Sequence, residues 1–155
     1  MKKIESFCVN HLKLYKGLYL SRKDVFDGVC ISTYDLRMTA PNREAPIDTS
    51  ALHTIEHLFA TYLRNSSIKD KIVYFGPMGC RTGCYLVMQG DLTPSDVLPL
   101  VLECCDFTLA FKGKIPGASK KECGNYLEQN LPLAKIYIKQ YKEELLKYKR
   151  FTYNK

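Results

Sequence analysis

Long apolar segments and an export signal are both missing from this 155-residue chain. No apolar run approaches the roughly 18 residues that a membrane-spanning helix needs. The first residues, MKKIESFC, do not lead into the apolar stretch of a secretory signal peptide. We therefore expect a cytoplasmic protein that does not bind membranes.

Histidine is scarce, with only three in the chain, and the seven cysteines include no C-x-x-C pair. A structural zinc site closed by four protein ligands is therefore hard to assemble. The number of cysteines is odd and no export signal precedes them. We expect reduced thiols rather than a disulfide framework.

No internal repeat, low-complexity tract or linker divides the sequence, so we expect a single domain over residues 1–155. Apolar residues make up 46% and charged residues 25%, which is typical of a soluble globular protein. The net charge of +7 is concentrated near the two ends. We interpret it as solvated surface rather than a nucleic-acid site.

Strand and helix patterns alternate irregularly, which favours an α+β fold with an antiparallel sheet covered by helices. The turn pair Asp27-Gly28 predicts a hairpin between residues 18–26 and 29–38. Further strands are predicted at 4–9, 71–75 and 84–88. Helices are predicted at 50–65, 94–112 and 131–151, and a short one begins at Ser119.

The segment HTIEH places two of the three histidines, His53 and His57, four residues apart in a predicted helix. Both side chains then project from one face and can bind one divalent metal. Glu56 reaches the same place without being a ligand, which suits a general acid or base. H-x-x-E-H is a metalloenzyme pattern. The same spacing also fits two histidines on the polar face of an amphipathic helix.

Two cysteines are candidates for chemistry. A catalytic metal centre needs a third ligand, here Cys, Asp or Glu, and an open position. Cys123, in KKECGNY, lies beside two lysines near a predicted helix start, which favours thiolate; a buried structural cysteine is the alternative. Cys80 lies in the glycine-rich turn GPMGCRTGCYL, where Arg81 can lower its pKa. We expect packing roles for Cys8, Cys30, Cys84, Cys104 and Cys105.

The segments HTIEHLFATYLRN, GPMGCRTGCYL and KKECGNY, with IESFCVNH and YDLRM, resemble the S-ribosylhomocysteine lyase (LuxS) family in order and spacing. The resemblance covers essentially the whole chain. It implies cleavage of S-ribosylhomocysteine to homocysteine and 4,5-dihydroxy-2,3-pentanedione, the precursor of the bacterial signal autoinducer-2. It also implies an α+β fold in which the sheets of two subunits pack at a homodimer interface.

The resemblance further implies roles for individual residues. His53, His57 and Cys123 match the ligands of one divalent metal per subunit, which is Fe²⁺ in the family and replaceable by Zn²⁺. Glu56 and Cys80 match its two acid/base residues.

Ser6, His11 and Arg37 match residues that bind the substrate, and the family's N-terminal residues reach across the dimer interface. We therefore expect a composite site in which Ser6 and His11 of one subunit face the metal, Glu56 and Cys80 of the other. Three positions depart from the family pattern and bear on the pocket wall. Gly76 stands in place of a serine, and Cys84 stands in place of an aromatic residue. Tyr74 lies in the stretch where the family often has an acidic residue and this chain has none.

Two other functions are compatible with parts of the sequence. An inverted-zincin peptidase shares H-x-x-E-H but takes a downstream glutamate as its third ligand, and no downstream glutamate here lies in a recognisable motif. A basic, non-enzymatic RNA-binding protein with a structural zinc would suit the net charge. However, the eleven tyrosines form no RNA-binding signature.

Overall fold

The computed structural model describes Lys2, Ile4 and residues 7–153 of the chain. These residues form an α+β fold, as predicted, with four strands and three α-helices. The strands are β1 (Gly17–Phe26), β2 (Val29–Arg37), β3 (Ile72–Pro77) and β4 (Gly83–Gln89). The helices are α1 (Thr49–Leu63), α2 (Pro94–Ala110) and α3 (Leu131–Tyr148).

The strands form one antiparallel sheet in the order β1-β2-β4-β3. The predicted hairpin is confirmed and turns at Asp27 and Gly28, whose φ angles are 47° and 82°. Two successive left-handed residues match the twist of the flanking strands, which explains the Asp-Gly pair. The strand predicted at 4–9 lies partly outside the described residues, and residues 7–9 form a turn instead.

Side-chain alternation gives the sheet two different faces. On β2, Tyr34 and Leu36 join the core, whereas Asp35 and Arg37 point to the opposite face. β4 follows the same rule, because Cys84, Leu86 and Met88 are core residues and Tyr85 is not. The helices pack over the core face, and the cavity described below lies on the other face.

Helix α1 begins where its sequence indicates. The carboxylate of Asp48 accepts hydrogen bonds from the backbone N–H groups of Ser50 at 3.0 Å and Ala51 at 3.3 Å. Its buried stripe consists of Leu52, Ile55, Phe59 and Leu63, whereas Tyr62 is only partly buried. This burial fixes the rotation of the helix and turns His53 and His57 toward the loop that precedes α3.

The other helices follow the predictions except at two points. α3 ends at Tyr148 rather than at residue 151, because Lys149 takes a left-handed conformation with φ 44°. The helix predicted from Ser119 does not form: the N–H groups of Glu122 and Cys123 bond to the Ser119 carbonyl, and the turn does not continue. None of the described helices combines the length and apolar character required to cross a membrane.

Candidate active site

The two histidines of α1 and Cys123 converge on one point. The ligand atoms of His53, His57 and Cys123 all lie within 4.8 Å of one another. The two Nε2 atoms are 3.0 Å apart, and the Cys123 sulfur is 3.4 Å from the His53 Nε2. A helix and a loop 70 residues away in the sequence thus supply three nitrogen and sulfur donors.

The outer nitrogens of both imidazoles are occupied. His53 Nδ1–H donates to the Glu128 carbonyl at 2.9 Å, and His57 Nδ1–H donates to the Pro116 carbonyl at 2.7 Å. Both Nε2 atoms therefore carry lone pairs that face each other. Two such lone pairs repel unless a cation lies between them. Their separation is close to the roughly 3.3 Å expected for two nitrogens bound tetrahedrally to one metal at about 2.0–2.1 Å. The residues fit a metal centre.

The segment before α3 is held against α1 by short contacts. The buried Thr54 hydroxyl accepts the Asn130 N–H at 2.9 Å. Gly117 has φ 72°, and a Cβ at this position would lie 3.2 Å from His57 Nδ1, so its lack of a side chain lets the loop approach the imidazole. The Asn125 N–H donates to the Cys123 sulfur at 3.4 Å.

A second group of predicted residues lines a cavity of about 710 Å³ on the face of the sheet opposite the helices. It brings together Cys80, Arg37 and His11, three of the residues singled out in the sequence. None of the residues lining it belongs to the metal group. The lining consists of Phe7, Cys8, Val9, His11, Ser21, Asp35, Arg37, Pro77, Met78, Gly79, Cys80, Tyr85 and Tyr153.

The thiol of Cys80 is activated by its neighbours. Burial of the sulfur would raise its pKa, but a hydrogen bond from Thr82 and the positive charge of Arg37 lower the pKa of Cys80 below its ordinary value. The Thr82 oxygen lies 3.1 Å from the sulfur and accepts a hydrogen bond from Arg37 Nη1 at 2.5 Å. Because the Thr82 oxygen accepts from Arg37, the Thr82 hydroxyl proton remains available to donate to the sulfur. The activating cation is Arg37 of β2, not the neighbouring Arg81 that the sequence suggested.

Arg37 is itself held in place by buried groups. Its guanidinium makes two hydrogen bonds to the Asp35 carboxylate, at 2.6 Å and 3.1 Å, and both side chains are almost fully buried. Burial would lower the pKa of Arg37, but the carboxylate outweighs this effect and raises it. The Tyr153 hydroxyl donates to Asp35 at 2.9 Å. Asp35 shares the face of Arg37 two residues away, a signal that the sequence contained. No feature of the sequence indicated that Tyr153 and Thr82 belong to this group.

The remaining predicted residues are distributed as follows. Glu56 is half-buried on α1. Burial raises the pKa of the inward-facing Cys84, and the negative charge of Glu56 adds to this effect. Cys104 and Cys105 are core residues as expected, but Cys8 is exposed and Cys30 only half-buried, so the packing role predicted for Cys8 is wrong. All seven cysteines are free. Ser6 lies outside the described residues.

The cavity changes the expected division of a composite site. His11 was expected opposite Cys80, on another subunit, but both line the same cavity of one chain. Within the single chain the metal group does not line the cavity, and alternation along β2 and β4 directs Asp35, Arg37 and Tyr85 to the face of the sheet opposite the helices.

These features define an α+β protein in which three converging side chains fit a metal ion and a separate thiol has a lowered pKa. The chain belongs to the S-ribosylhomocysteinase (LuxS) family, which it matches over residues 4–152. It is 55% identical over 142 residues to an S-ribosylhomocysteine lyase of Clostridium acetobutylicum, covering 91% of this chain and 90% of that protein. Lyases of Phocaeicola vulgatus and Borreliella burgdorferi are 52% and 51% identical, each over 96% of this chain and over 92% and 99% of their own lengths.

Proposed function

We propose that this protein is an S-ribosylhomocysteine lyase, a carbon–sulfur lyase that releases homocysteine and 4,5-dihydroxy-2,3-pentanedione, the autoinducer-2 precursor. The observation that carries the proposal is the coexistence, in a chain of this family, of the His53–His57–Cys123 group with an activated Cys80 thiol. A peptidase of the inverted-zincin type would use a glutamate where this chain supplies Cys123. A structural zinc would use four protein ligands, and among the described residues three converge here.

The chemistry of the substrate explains why proton-transfer groups are needed. Sulfur on an ordinary sugar carbon is a poor leaving group. Two successive enolisations move the carbonyl along the ribose until the sulfur is β to a ketone, and elimination can then follow. Each enolisation takes a proton from one carbon and returns it to another, which is work for a general acid/base pair.

We assign the proton transfers to the Sγ of Cys80 and the carboxylate of Glu56. Because the pKa of Cys80 lies below its ordinary value, a larger fraction of its sulfur is thiolate, which can remove a proton, and the resulting thiol can return it. Arg37 is held by Asp35, and its remaining N–H groups can donate hydrogen bonds to oxygen atoms of the substrate. We also assign substrate-binding roles to His11 and Ser6. A divalent ion held by His53, His57 and Cys123, Fe²⁺ in preference to Zn²⁺, would stabilise negative charge on the carbonyl oxygen as a Lewis acid.

We further propose that the working enzyme is a cytoplasmic homodimer with composite sites. Within one chain, no residue that lines the Cys80 cavity belongs to the metal group. In the homodimer that we propose, the sheets of the two subunits pack at the interface, and the metal group of one subunit lies beside the cavity of the other. A two-fold dimer then holds two equivalent sites.

The function is tested by incubating anaerobically purified protein with S-ribosylhomocysteine. Thiol release and bound metal are measured, and the dione is identified. The wild type should release homocysteine and the dione in equal amounts. Cys80→Ala should retain the metal and lose most turnover, while the matched control Cys30→Ser, outside the cavity, should retain both. Absence of thiol release from metal-loaded wild type would refute the proposal.

A further inference from the structure

Two exposed cysteines face the same cavity, and only one of them has a role in the proposed reaction. Cys80 and Cys8 are both exposed and both line the cavity of about 710 Å³. Cys8 belongs to the segment before β1, far from Cys80 in the sequence. Its sulfur makes only a weak contact, 3.6 Å from the Ile4 carbonyl oxygen.

Within the part of the chain that the structure describes, the segment that carries Cys8 has hydrogen bonds to the rest of the protein at one end only. Among the described residues, every hydrogen bond made by residues 7–13 is with another residue of 4–13, including Phe7 N–H to the Ile4 carbonyl and His11 Nδ1–H to the Val9 carbonyl. The first bond to the body of the protein is donated by Arg43 to the buried Leu14 carbonyl. Movement of residues 7–13 toward Cys80 therefore breaks no hydrogen bond that these described residues make to the sheet or helices.

Cys80 has the properties of an oxidation-sensitive thiol. It is accessible, and Thr82 and Arg37 lower its pKa, so a larger fraction is thiolate, the form that peroxides attack. The nearest cysteine along the chain, Cys84, is a poor partner. It is fully buried in β4 with its side chain in the core, and burial raises its pKa.

We propose that Cys8 is the resolving thiol of Cys80, and that a peroxide converts the two into a reversible intrachain disulfide that protects the reactive thiol. The Cys80 thiolate attacks one peroxide oxygen, the O–O bond breaks, and Cys80 becomes a sulfenic acid as hydroxide leaves. The Cys8 thiol then attacks that sulfur, an S–S bond forms, and water leaves. The two electrons lost by the thiols reduce one peroxide molecule, and a dithiol reductant reverses the step.

The inference deepens the proposed function, because the disulfide occupies the thiol assigned to proton transfer. The cross-link itself does not depend on that function. A protein that forms the link but does not act on S-ribosylhomocysteine would refute the proposed function alone, and an active lyase without the link would refute the disulfide alone.

Tryptic digestion separates the relevant cysteines. Cleavage after Lys3, Lys13, Lys71 and Arg81 gives peptide 4–13, which contains only Cys8, and peptide 72–81, which contains only Cys80. Reduced, metal-loaded protein is treated with hydrogen peroxide, freed of excess oxidant, and digested without reductant. The masses of the free, linked and over-oxidised peptides are then measured, with Cys8→Ser as the test variant and Cys30→Ser as the matched control.

Wild type and Cys30→Ser should give the linked pair 4–13/72–81 in a monomeric band on a non-reducing denaturing gel. Dithiothreitol should return both peptides to the free thiol. In Cys8→Ser, peptide 72–81 should instead carry sulfinic and sulfonic acid, with severalfold less thiol recovered by dithiothreitol. Equal over-oxidation of Cys80 in wild type and Cys8→Ser, a link from Cys80 to Cys84, or a covalent dimer through Cys8 would overturn the proposal.

Discussion

Replacing Thr82 with valine tests how the protein activates Cys80. The substitution keeps the shape of a nearly buried side chain and removes only the hydroxyl. That hydroxyl accepts from Arg37 Nη1 at 2.5 Å and lies 3.1 Å from the Cys80 sulfur. The backbone carbonyl of Thr82, which accepts the N–H of Met38 at 2.9 Å, is unaffected.

The size of the effect follows from these contacts. A hydrogen bond to a charged group contributes about 1.5–3 kcal/mol, and the lower end applies to an accessible sulfur. One pKa unit corresponds to about 1.36 kcal/mol. Loss of the donor destabilises the thiolate and leaves the thiol almost unchanged, so the pKa of Cys80 should rise by about one unit.

The assay is alkylation of Cys80 by iodoacetamide as a function of pH, followed by the mass of peptide 72–81. Below both pKa values the thiolate fraction should fall about tenfold, but a more basic thiolate is a better nucleophile, so the rate should fall only about threefold to fourfold. Thr82→Ser keeps the hydroxyl and should behave like the wild type. An unchanged pKa in Thr82→Val, with the fold intact, would refute the assigned role of the hydroxyl.

Three further substitutions separate the metal group from the proton-transfer groups. Glu56→Gln should retain the metal while turnover falls about 10²–10⁴-fold, because an amide cannot exchange a proton at this position; wild-type turnover would exclude Glu56. Cys123→Ser should lose most bound metal in elemental analysis, whereas Cys30→Ser should not; full occupancy in Cys123→Ser would show that the ligand assignment is wrong. Gly117→Ala should weaken metal affinity about 10–100-fold by displacing His57, measured by chelator competition, and unchanged affinity would contradict the close approach of this loop.

Helix α1, which carries His53 and His57, was predictable because its signals are local. Asp48 marks its start, Leu52 and Ile55 begin its apolar stripe, and the spacing of His53 and His57 is set by the helical repeat alone. The loop that carries Cys123 was not predicted correctly: a capping pattern at Ser119 indicated a helix, and the chain makes one turn instead. The residues themselves made Cys123 a candidate third ligand, and the family resemblance matched it to the histidines.

The surroundings of Cys80 could not be derived from the sequence, because they depend on which strands pair. Arg37 reaches Cys80 across 43 residues because β2 pairs with β4, with Arg37 opposite Gly83. Tyr153 reaches Asp35 across 118 residues because the end of the chain packs back on β1, where the Arg150 carbonyl accepts the Leu18 N–H at 3.1 Å. No local pattern encodes either contact.

Complementation between two inactive variants tests the composite site most directly. His57→Ala damages only the metal group, and Cys80→Ala damages only the cavity. If one subunit's metal works with the other's Cys80, each heterodimer carries one intact site and one site with both lesions. Since random exchange makes half of the dimers heterodimers, an equimolar mixture should regain about a quarter of wild-type turnover of S-ribosylhomocysteine. No recovery after verified exchange would contradict the account, because sites built within one subunit would each keep a lesion.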